Sequence, residues 1–278
     1  MRLASYLAEG HPSCGVVVGD RIADIGASTG VPGLRQAIEA GVDFAGLSSS
    51  APTLELDQVT LLPPIWDTDR IICVGLNYKS HLEELGYPPP EIPMLFVRFA
   101  DSLVGHGQPL VRPKLSHDFD YEGELAVVVG RPGRHISRSK ALDHVAGYAC
   151  FNDGSLRDFQ TRGVQFLPGK SFHRSGAFGP WLVTPDEHTP AAGTTLTTRL
   201  NGVEVQRADL GDLLFDVADL ISFVSGLFPL HAGDVIATGT TGGVGAARTP
   251  QLWIKPGDLI EVDIDGVGVL ANGVIDEE

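Results

Sequence analysis

The sequence contains little cysteine and none of the usual zinc-binding motifs. Three cysteines, Cys14, Cys73 and Cys150, occur in 278 residues, without a C-x-x-C pair or an H-E-x-x-H motif. This odd number argues against a disulfide framework, and the missing motifs argue against a zinc site. Because Cys73 and Cys150 lie in apolar runs, we predict buried free thiols in a reducing compartment, and hence a cytoplasmic protein.

Positive charge is also scarce, and long apolar runs are absent. Lys and Arg number 20 against 35 Asp and Glu, which gives a net charge of -15. Without a cluster of basic residues, we predict no nucleic acid and no anionic membrane surface as a partner. The longest apolar stretch, VADLISFVSGLFPL, carries Asp219 and is too short to cross a bilayer. The apolar stretch at the N-terminus is too short for a signal peptide.

The residues that are present predict a β-rich α/β fold. Hydrophobic residues make up 43% and charged residues 20% of the chain, as in ordinary globular proteins. Short apolar runs separated by turn residues outnumber helical patterns, so a doubly wound sheet is not expected. Residues 1–65 are predicted to form a small α+β domain, with a hairpin turn at Gly19-Asp20 and a helix that ends at Gly41. Residues 66–278 are predicted to form the main domain.

Three further local predictions concern this main domain. A short helix is expected over HLEEL, opened by a capping box of Ser80 and Glu83. A second helix is expected over RSKALDHVAG, at residues 138–147. Asp265-Gly266 is a typical hairpin turn, and the strand before it alternates apolar and acidic residues.

Two glycine-rich segments resemble catalytic or nucleotide-binding motifs only superficially. GASTG, at residues 26–30, matches the elbow that carries the nucleophile of serine hydrolases, which would make Ser28 the nucleophile. Too few residues precede it to build the sheet of that fold, so we prefer a Gly/Ser loop. GTTGGVGAA, at residues 239–247, lacks the G-x-G-x-x-G spacing of a dinucleotide-binding loop.

The segment DYEGELAVVVG places acidic residues at the mouth of an apolar strand. Asp120, Glu122 and Glu124 are two residues apart, and in an extended chain such residues share one face. Carboxylates crowded in this way repel one another, so a cation is expected beside them. Two oxygen-donor side chains suit Mg²⁺ or Mn²⁺. A third could come from Asp153 or Asp158 in CFNDGSLRDFQ, although local rules alone favour a simple turn there.

Five segments in order then resemble the fumarylacetoacetate hydrolase family. They are VGLNYKSHLEE, DYEGELAVVVG, NDGSLRDFQ, GKSF and TGTTGGVG, and the resemblance covers about residues 70–275. It implies a mixed β-sandwich roll, a homodimer, and one divalent cation, Mg²⁺ or Mn²⁺. By position, the family's metal ligands fall on Glu122, Glu124 and Asp153.

The resemblance also implies the catalytic and substrate-binding residues. Its catalytic His, Glu and Lys fall on His81, Glu84 and Lys170, and residues three apart on a helix share a face. The positions that contact substrate correspond to four residues, namely Tyr78, Arg157, Gln160 and Thr240. Ordinary roles stay open: core packing for Tyr78 and a structural ion pair for Arg157. A surface position stays open for the three catalytic candidates His81, Glu84 and Lys170.

Three positions depart from the family pattern, and they affect the choice of substrate more than the metal chemistry. They are Arg98 where lysine is common, His173 where aspartate is common, and Thr241 where proline is common. The resemblance implies a hydrolase that cleaves a carbon–carbon bond in a 1,3-dicarbonyl acid such as an acylpyruvate. His81, held by Glu84, would activate water, and Lys170 would stabilise the oxyanion.

Other reactions remain open at the same site. Decarboxylation of oxaloacetate or a related β-keto acid needs the cation but no attacking water. Tautomerase or isomerase action is a further possibility. In each case the expected partner is a small keto acid.

Overall fold

Turn residues interrupt the apolar runs of this chain every few positions, and the elements are correspondingly short. The computed structural model describes residues 1–278. Its first 65 residues contain five strands and three helices, in chain order β1 (Arg2–Ala8), β2 (His11–Val18), β3 (Arg21–Asp24), α1 (Ile25–Thr29), α2 (Leu34–Glu39), α3 (Phe44–Ser48), β4 (Thr53–Glu55) and β5 (Thr60–Leu61).

The remaining chain contains fourteen strands and four helices. Up to residue 170 they are β6 (Ile71–Gly75), α4 (Lys79–Leu85), β7 (Met94–Arg98), β8 (Leu103–Val104), β9 (Leu110–Arg112), β10 (Phe119–Asp120), β11 (Gly123–Val129), β12 (Val145–Asn152), β13 (Ser155–Leu156), α5 (Arg157–Gln160) and α6 (Leu167–Lys170). After it they are β14 (Gly176–Val183), β15 (Thr195–Leu200), β16 (Val203–Asp209), α7 (Val217–Leu227), β17 (Val235–Thr240), β18 (Leu259–Ile264) and β19 (Gly268–Asp276).

Most strands join two mixed sheets. The larger sheet has twelve strands in the order β4-β3-β2-β1-β14-β12-β11-β17-β6-β7, with β5 paired to β1 and β8 paired to β14. The second has five strands, β16-β15-β18-β19-β9, and β10 pairs with β13 separately. Strand β1 pairs with β14, so the sheet of the N-terminal segment continues the main sheet. The division at residue 65 stays a prediction.

Strand β11 is buried on both faces, which explains its unbroken apolar sequence. Leu125 and Val127 belong to one apolar cluster, together with Leu196 of β15 in the five-stranded sheet. Ala126 and Val128 point to the opposite face, into the cluster that contains residues of α2 and α3. The strand that follows the acidic segment is therefore held from both sides.

The fold class is confirmed: the chain is a β-rich α/β protein with a mixed β-sandwich roll and a small N-terminal α+β unit. Both hairpins are confirmed, because Val18 pairs with Arg21 across Gly19-Asp20 and Ile264 pairs with Gly268 after Asp265-Gly266. No helix has the length and apolar character that a membrane crossing requires.

Three local predictions are wrong. Residues 138–144 form a 3-10 helix in which only Ala141 is buried, because the segment has no continuous apolar face. Residues 26–29 of GASTG lie in helix α1, which Asp24 caps by accepting a hydrogen bond from Ala27 N. Ser80 does not cap α4, because its hydroxyl donates to Asp212, 132 residues away.

Gly123 at the start of β11 gives a test of this packing. A Cβ added there would lie 2.0 Å from Thr198 Oγ1, a buried hydroxyl without a hydrogen-bond partner. Gly123→Ala is therefore expected to lower the free energy of unfolding by about 1–3 kcal/mol in urea titrations. Thr198→Ala removes the clashing atom, so Gly123→Ala should cost much less in that background. Equal costs in both backgrounds would contradict the close contact.

Candidate active site

The buried acidic cluster forms where β11 begins and β12 ends. The two strands are antiparallel, and Gly123 pairs with Asn152. Their pairing brings Glu122 beside Asp153, whose backbone N donates to Glu122 O at 2.9 Å. Carboxylate oxygens of Glu122, Glu124 and Asp153 lie within 4.8 Å of one another, and all three residues are buried.

Asp120 does not belong to this cluster, although the alternation of acids predicted a common face. Its carboxylate accepts hydrogen bonds from the backbone N of Gly245 and Ala246, at 2.8 Å and 3.0 Å. Asp158 is also outside the cluster, because it accepts from Ser116 Oγ near the surface. Of the two alternatives for the third acid, the structure brings Asp153 to the site.

The expected positive charge is present as side chains of the protein. Lys170 Nζ lies 2.7 Å from Glu122 Oε2 and 2.7 Å from Asp153 Oδ2, and the lysine is buried. Arg157 Nη1 lies 2.6 Å from Glu122 Oε1. Arg98 Nη1 lies 2.5 Å from Asp153 Oδ1. Two of the three carboxylates are thus paired with cations at both oxygens.

Glu124 has no such cationic partner. The only hydrogen bond that its carboxylate accepts is from Gly239 N, at 2.9 Å to Oε2. Burial, together with the charges of Asp153 and Glu122, raises the pKa of Glu124 well above its usual value. Burial alone would also raise the pKa of Glu122, but Lys170 and Arg157 lower it to about 2. Glu124 is therefore the carboxylate of the cluster whose ionised form no cation of the protein stabilises.

These three residues fit a divalent cation. Their donors are all carboxylate oxygens, the ligands that Mg²⁺ and Mn²⁺ prefer, and they lie close enough to share one ion. A bound cation would also give the Glu124 carboxylate the positively charged partner that it lacks. Glu122, Glu124 and Asp153 are thus the residues that would hold the metal.

Helix α4 brings a histidine and a glutamate together at the edge of the site. His81 Nδ1 lies 3.1 Å from Glu84 Oε2, and His81 is buried. The other oxygen of Glu84 accepts from Gly243 N at 2.8 Å. Burial raises the pKa of Glu84, but the hydrogen bonds from His81 and Gly243 outweigh it and leave the pKa below its usual value. Glu84 is therefore ionised and can orient the imidazole.

The four predicted substrate-binding residues occupy different surroundings. Arg157 is bonded to acids through Nε and Nη1, whereas its Nη2 is buried without a partner. Gln160 Oε1 accepts from Arg157 Nη1 at 2.8 Å. The Thr240 hydroxyl donates a hydrogen bond to Gly123 O and accepts one from Gln206 Nε2, so its donor and one acceptor position are used within the protein. The Tyr78 hydroxyl is buried without a partner. Their role in substrate binding stays a prediction.

The departures from the family pattern have different structural consequences. Arg98 is fully buried and its Nη2 also donates to Ser175 Oγ at 2.8 Å, so it is part of the wall behind Asp153. His173 is exposed. Thr241 Oγ1 lies 3.0 Å from Ser80 Oγ. The contact between Arg98 and Asp153 joins residues 55 apart and has no local sequence signal.

Ser28, the alternative nucleophile, lies in α1 within the N-terminal segment. Its hydroxyl donates to Asp24 O at 3.2 Å, and no histidine is hydrogen bonded to it. The arrangement lacks the base that a serine nucleophile requires.

The comparison with known families agrees with this geometry. Residues 70–275 match the family described as fumarylacetoacetate (FAA) hydrolase C-terminal. This segment contains the acidic cluster, Lys170 and the His81–Glu84 pair. The chain belongs to the fumarylacetoacetate hydrolase family of enzymes.

Relatives within this family carry out more than one reaction. Human mitochondrial oxaloacetate tautomerase FAHD2A is 40% identical over 231 residues, which cover 82% of this chain and 74% of the relative. The fumarylacetoacetate hydrolase of Exiguobacterium antarcticum has a TM-score of 0.90 at 36% identity, with both chains fully covered. Maleylpyruvate hydrolase from Sphingobium sp. SYK-6, solved with manganese(II) and pyruvate, has a TM-score of 0.81 at 31% identity and the same coverage.

Two substitutions should change metal affinity in opposite directions. Glu124→Ala removes a carboxylate without a cationic partner and is expected to abolish Mn²⁺ uptake in calorimetric titrations. Lys170→Met removes a cation that occupies oxygens of Glu122 and Asp153. It is expected to tighten Mn²⁺ binding about tenfold or more, because like charges repel strongly in a buried site. Unchanged affinity in Glu124→Ala, or weaker binding in Lys170→Met, would contradict this assignment.

Proposed function

We propose that this protein is a metal-dependent enzyme for short 2-oxo acids, and that keto–enol tautomerisation of an oxaloacetate-type dicarboxylic acid is its main reaction. The observation that carries the proposal is the buried carboxylate cluster with His81 beside it. Against the effect of burial, Lys170 and Arg157 lower the pKa of Glu122, and His81 contributes in the same direction. The human relative that is 40% identical is an oxaloacetate tautomerase, which supports this choice of substrate.

The side chains of the site suit proton transfer at the carbon next to a keto group. Histidine is the side chain whose ordinary pKa lies nearest neutrality, so it can accept and return a proton there. The Glu84 carboxylate is hydrogen bonded to Nδ1 of His81, which leaves Nε2 for the substrate. Its negative charge also stabilises the charged imidazole. Lys170 contributes a buried positive charge for a developing oxyanion. When bound, a divalent cation, Mg²⁺ or Mn²⁺, supplies Lewis-acid stabilisation of that negative charge.

Hydrolytic cleavage of a carbon–carbon bond in an acylpyruvate is the second candidate. The His81–Glu84 pair favours it, because a glutamate-supported imidazole can equally remove a proton from water. The maleylpyruvate hydrolase with bound pyruvate also supports it. Decarboxylation is less well supported, since it leaves this base without a role.

The cytoplasmic location stays a prediction, and the human relative is named as a mitochondrial protein.

His81→Ala tests the proposed base. Tautomerisation of oxaloacetate, followed by the ultraviolet absorbance of the enol and corrected for the rate in buffer, is expected to fall about 10²-fold or more. Glu84→Gln should lower the rate in the same direction, because it removes the charge that supports the imidazolium. Affinities for Mn²⁺ and for oxalate should stay within about threefold, since His81 is not among the candidate ligands.

Glu83→Gln, on the exposed side of the same helix, is the matched control and should leave the rate unchanged. Full tautomerisation by His81→Ala would show that the base lies elsewhere. Wild-type turnover of acetopyruvate or fumarylpyruvate, in the absence of tautomerisation, would favour the second candidate.

We further propose that the protein is a homodimer. Strand β7 is the last strand of the twelve-stranded sheet, so one row of its backbone groups is unpaired. Tyr87, Ile92, Val97 and Phe99, in and around β7, are between 46% and 62% exposed. An apolar sheet edge of this kind promotes pairing with another chain unless it is covered. A second copy of the chain would cover it with two-fold symmetry.

Light scattering at micromolar concentration is expected to give twice the single-chain mass of 29.5 kDa. Val97→Lys should shift the mass toward one chain, because charge on an edge strand opposes pairing. Val203→Lys, on the edge strand of the other sheet, is the control and should leave the dimer intact. A single-chain mass for the wild type would contradict the proposal.

A further inference from the structure

One glycine-rich segment, residues 239–247, holds carboxylates in different parts of the site through its backbone. Gly239 N donates to Glu124 of the acidic cluster at 2.9 Å. Gly243 N donates to Glu84 beside the catalytic histidine at 2.8 Å. The position of this segment therefore affects both the candidate metal ligand and the proposed base.

Asp120 is the third carboxylate that this segment holds, and it is fully buried. Its Oδ1 accepts from Gly245 N and from Tyr121 N, at 2.8 Å and 2.9 Å. Its Oδ2 accepts from Ala246 N at 3.0 Å and from Arg157 Nε at 2.8 Å. One carboxylate thus joins the glycine-rich segment to a guanidinium group of the site.

The glycines fix the segment closely against its neighbours. Gly243 has a φ of +101°, and a Cβ added there would lie 2.3 Å from Val205 O. A Cβ at Gly245 would lie 1.9 Å from Leu252 O. Because glycine alone fits these positions, the segment lies close against its neighbours, with the amides of Gly245 and Ala246 directed at Asp120.

Arg157 is held by two acids, which leaves one part of its guanidinium free. Nε lies 2.8 Å from Asp120 Oδ2 and Nη1 lies 2.6 Å from Glu122 Oε1, so each nitrogen forms an ion pair with one acid. Nη2 is buried and has no partner within the protein. A planar guanidinium that is fixed at two nitrogens has a fixed direction at the third.

We propose that Asp120 is a positioning residue: it anchors Arg157 to the glycine-rich segment, so that Arg157 Nη2 is directed at an oxygen of an anionic ligand beside the acidic cluster. Asp120 itself contacts neither the metal position nor the ligand. The inference rests on the proposed function only in taking a small carboxylate as the ligand.

Binding of oxalate to the Mn²⁺-loaded protein tests this inference without any turnover. Asp120→Asn keeps the size of the side chain but removes its charge and puts an N–H group against its donors. Oxalate affinity is expected to fall about tenfold or more, as for other residues that orient a ligand-binding group. Mn²⁺ affinity should change less than about threefold, because Asp120 is not among the candidate ligands. Asp118→Asn, whose side chain makes no hydrogen bond, is the control.

The Arg157→Lys background separates positioning from general stabilisation of the fold. If Asp120 acts through Arg157, then Asp120→Asn should weaken oxalate binding less than about twofold further in that background. An equal loss in both backgrounds, or unchanged oxalate affinity in Asp120→Asn, overturns the proposal. Absence of oxalate binding by the wild type overturns it as well.

A second variant covers the case in which Asp120→Asn does not fold. Ala246→Pro removes one donor to Asp120 but leaves the pair between Asp120 and Arg157. It should weaken oxalate binding in the wild-type background but not after Arg157→Lys, and equal effects in both backgrounds contradict the proposal. A wild type that binds oxalate but turns over no keto acid would contradict the proposed function and leave this inference standing.

Discussion

The site depends on the compensation of negative charge that is buried at the ends of two antiparallel strands. Four buried acids and three largely buried cations meet there, namely Asp120, Glu122, Glu124 and Asp153 with Arg98, Arg157 and Lys170. A buried carboxylate is stable only when it is paired or hydrogen bonded. Every acid except Glu124 has a cationic partner, so a metal ion bound there would supply the positive charge that stabilises ionised Glu124.

The surrounding fold keeps these charges in place. Strand β11 is packed on both faces, and β12 pairs with it along its length, so Glu122 and Asp153 cannot separate without disrupting the core. The glycine-rich segment that begins at the end of β17 then holds three carboxylates through its backbone N–H groups. A rigid sheet with a closely fitted loop allows repelling side chains to remain together, which a mobile loop would not.

Local patterns predicted the parts of the structure that depend on neighbours in sequence. Hairpins at Gly19-Asp20 and Asp265-Gly266 follow from turn residues, and the alternation before an apolar strand indicated Glu122 and Glu124 of the acidic cluster. Its third member, Asp153, came only from the family resemblance. Contacts between distant residues could not be predicted in this way. Asp212 displaces the expected cap of α4 from 132 residues away. Asp120 was expected near the metal, but backbone groups 125 and 126 residues further along bind it instead. The helix expected over residues 138–147 is shortened to a 3-10 helix over residues 138–144, in which only one side chain packs inward.

The central claim is that one divalent cation binds between the three carboxylates. Anomalous scattering from a crystal soaked in Mn²⁺ tests it most directly, because the ion is located without any assumption about the reaction. We predict one strong peak per chain at about 2.0–2.3 Å from oxygens of Glu122, Glu124 and Asp153. A peak elsewhere, or density for the Lys170 ammonium group with no ion among these oxygens at saturating Mn²⁺, would contradict the account.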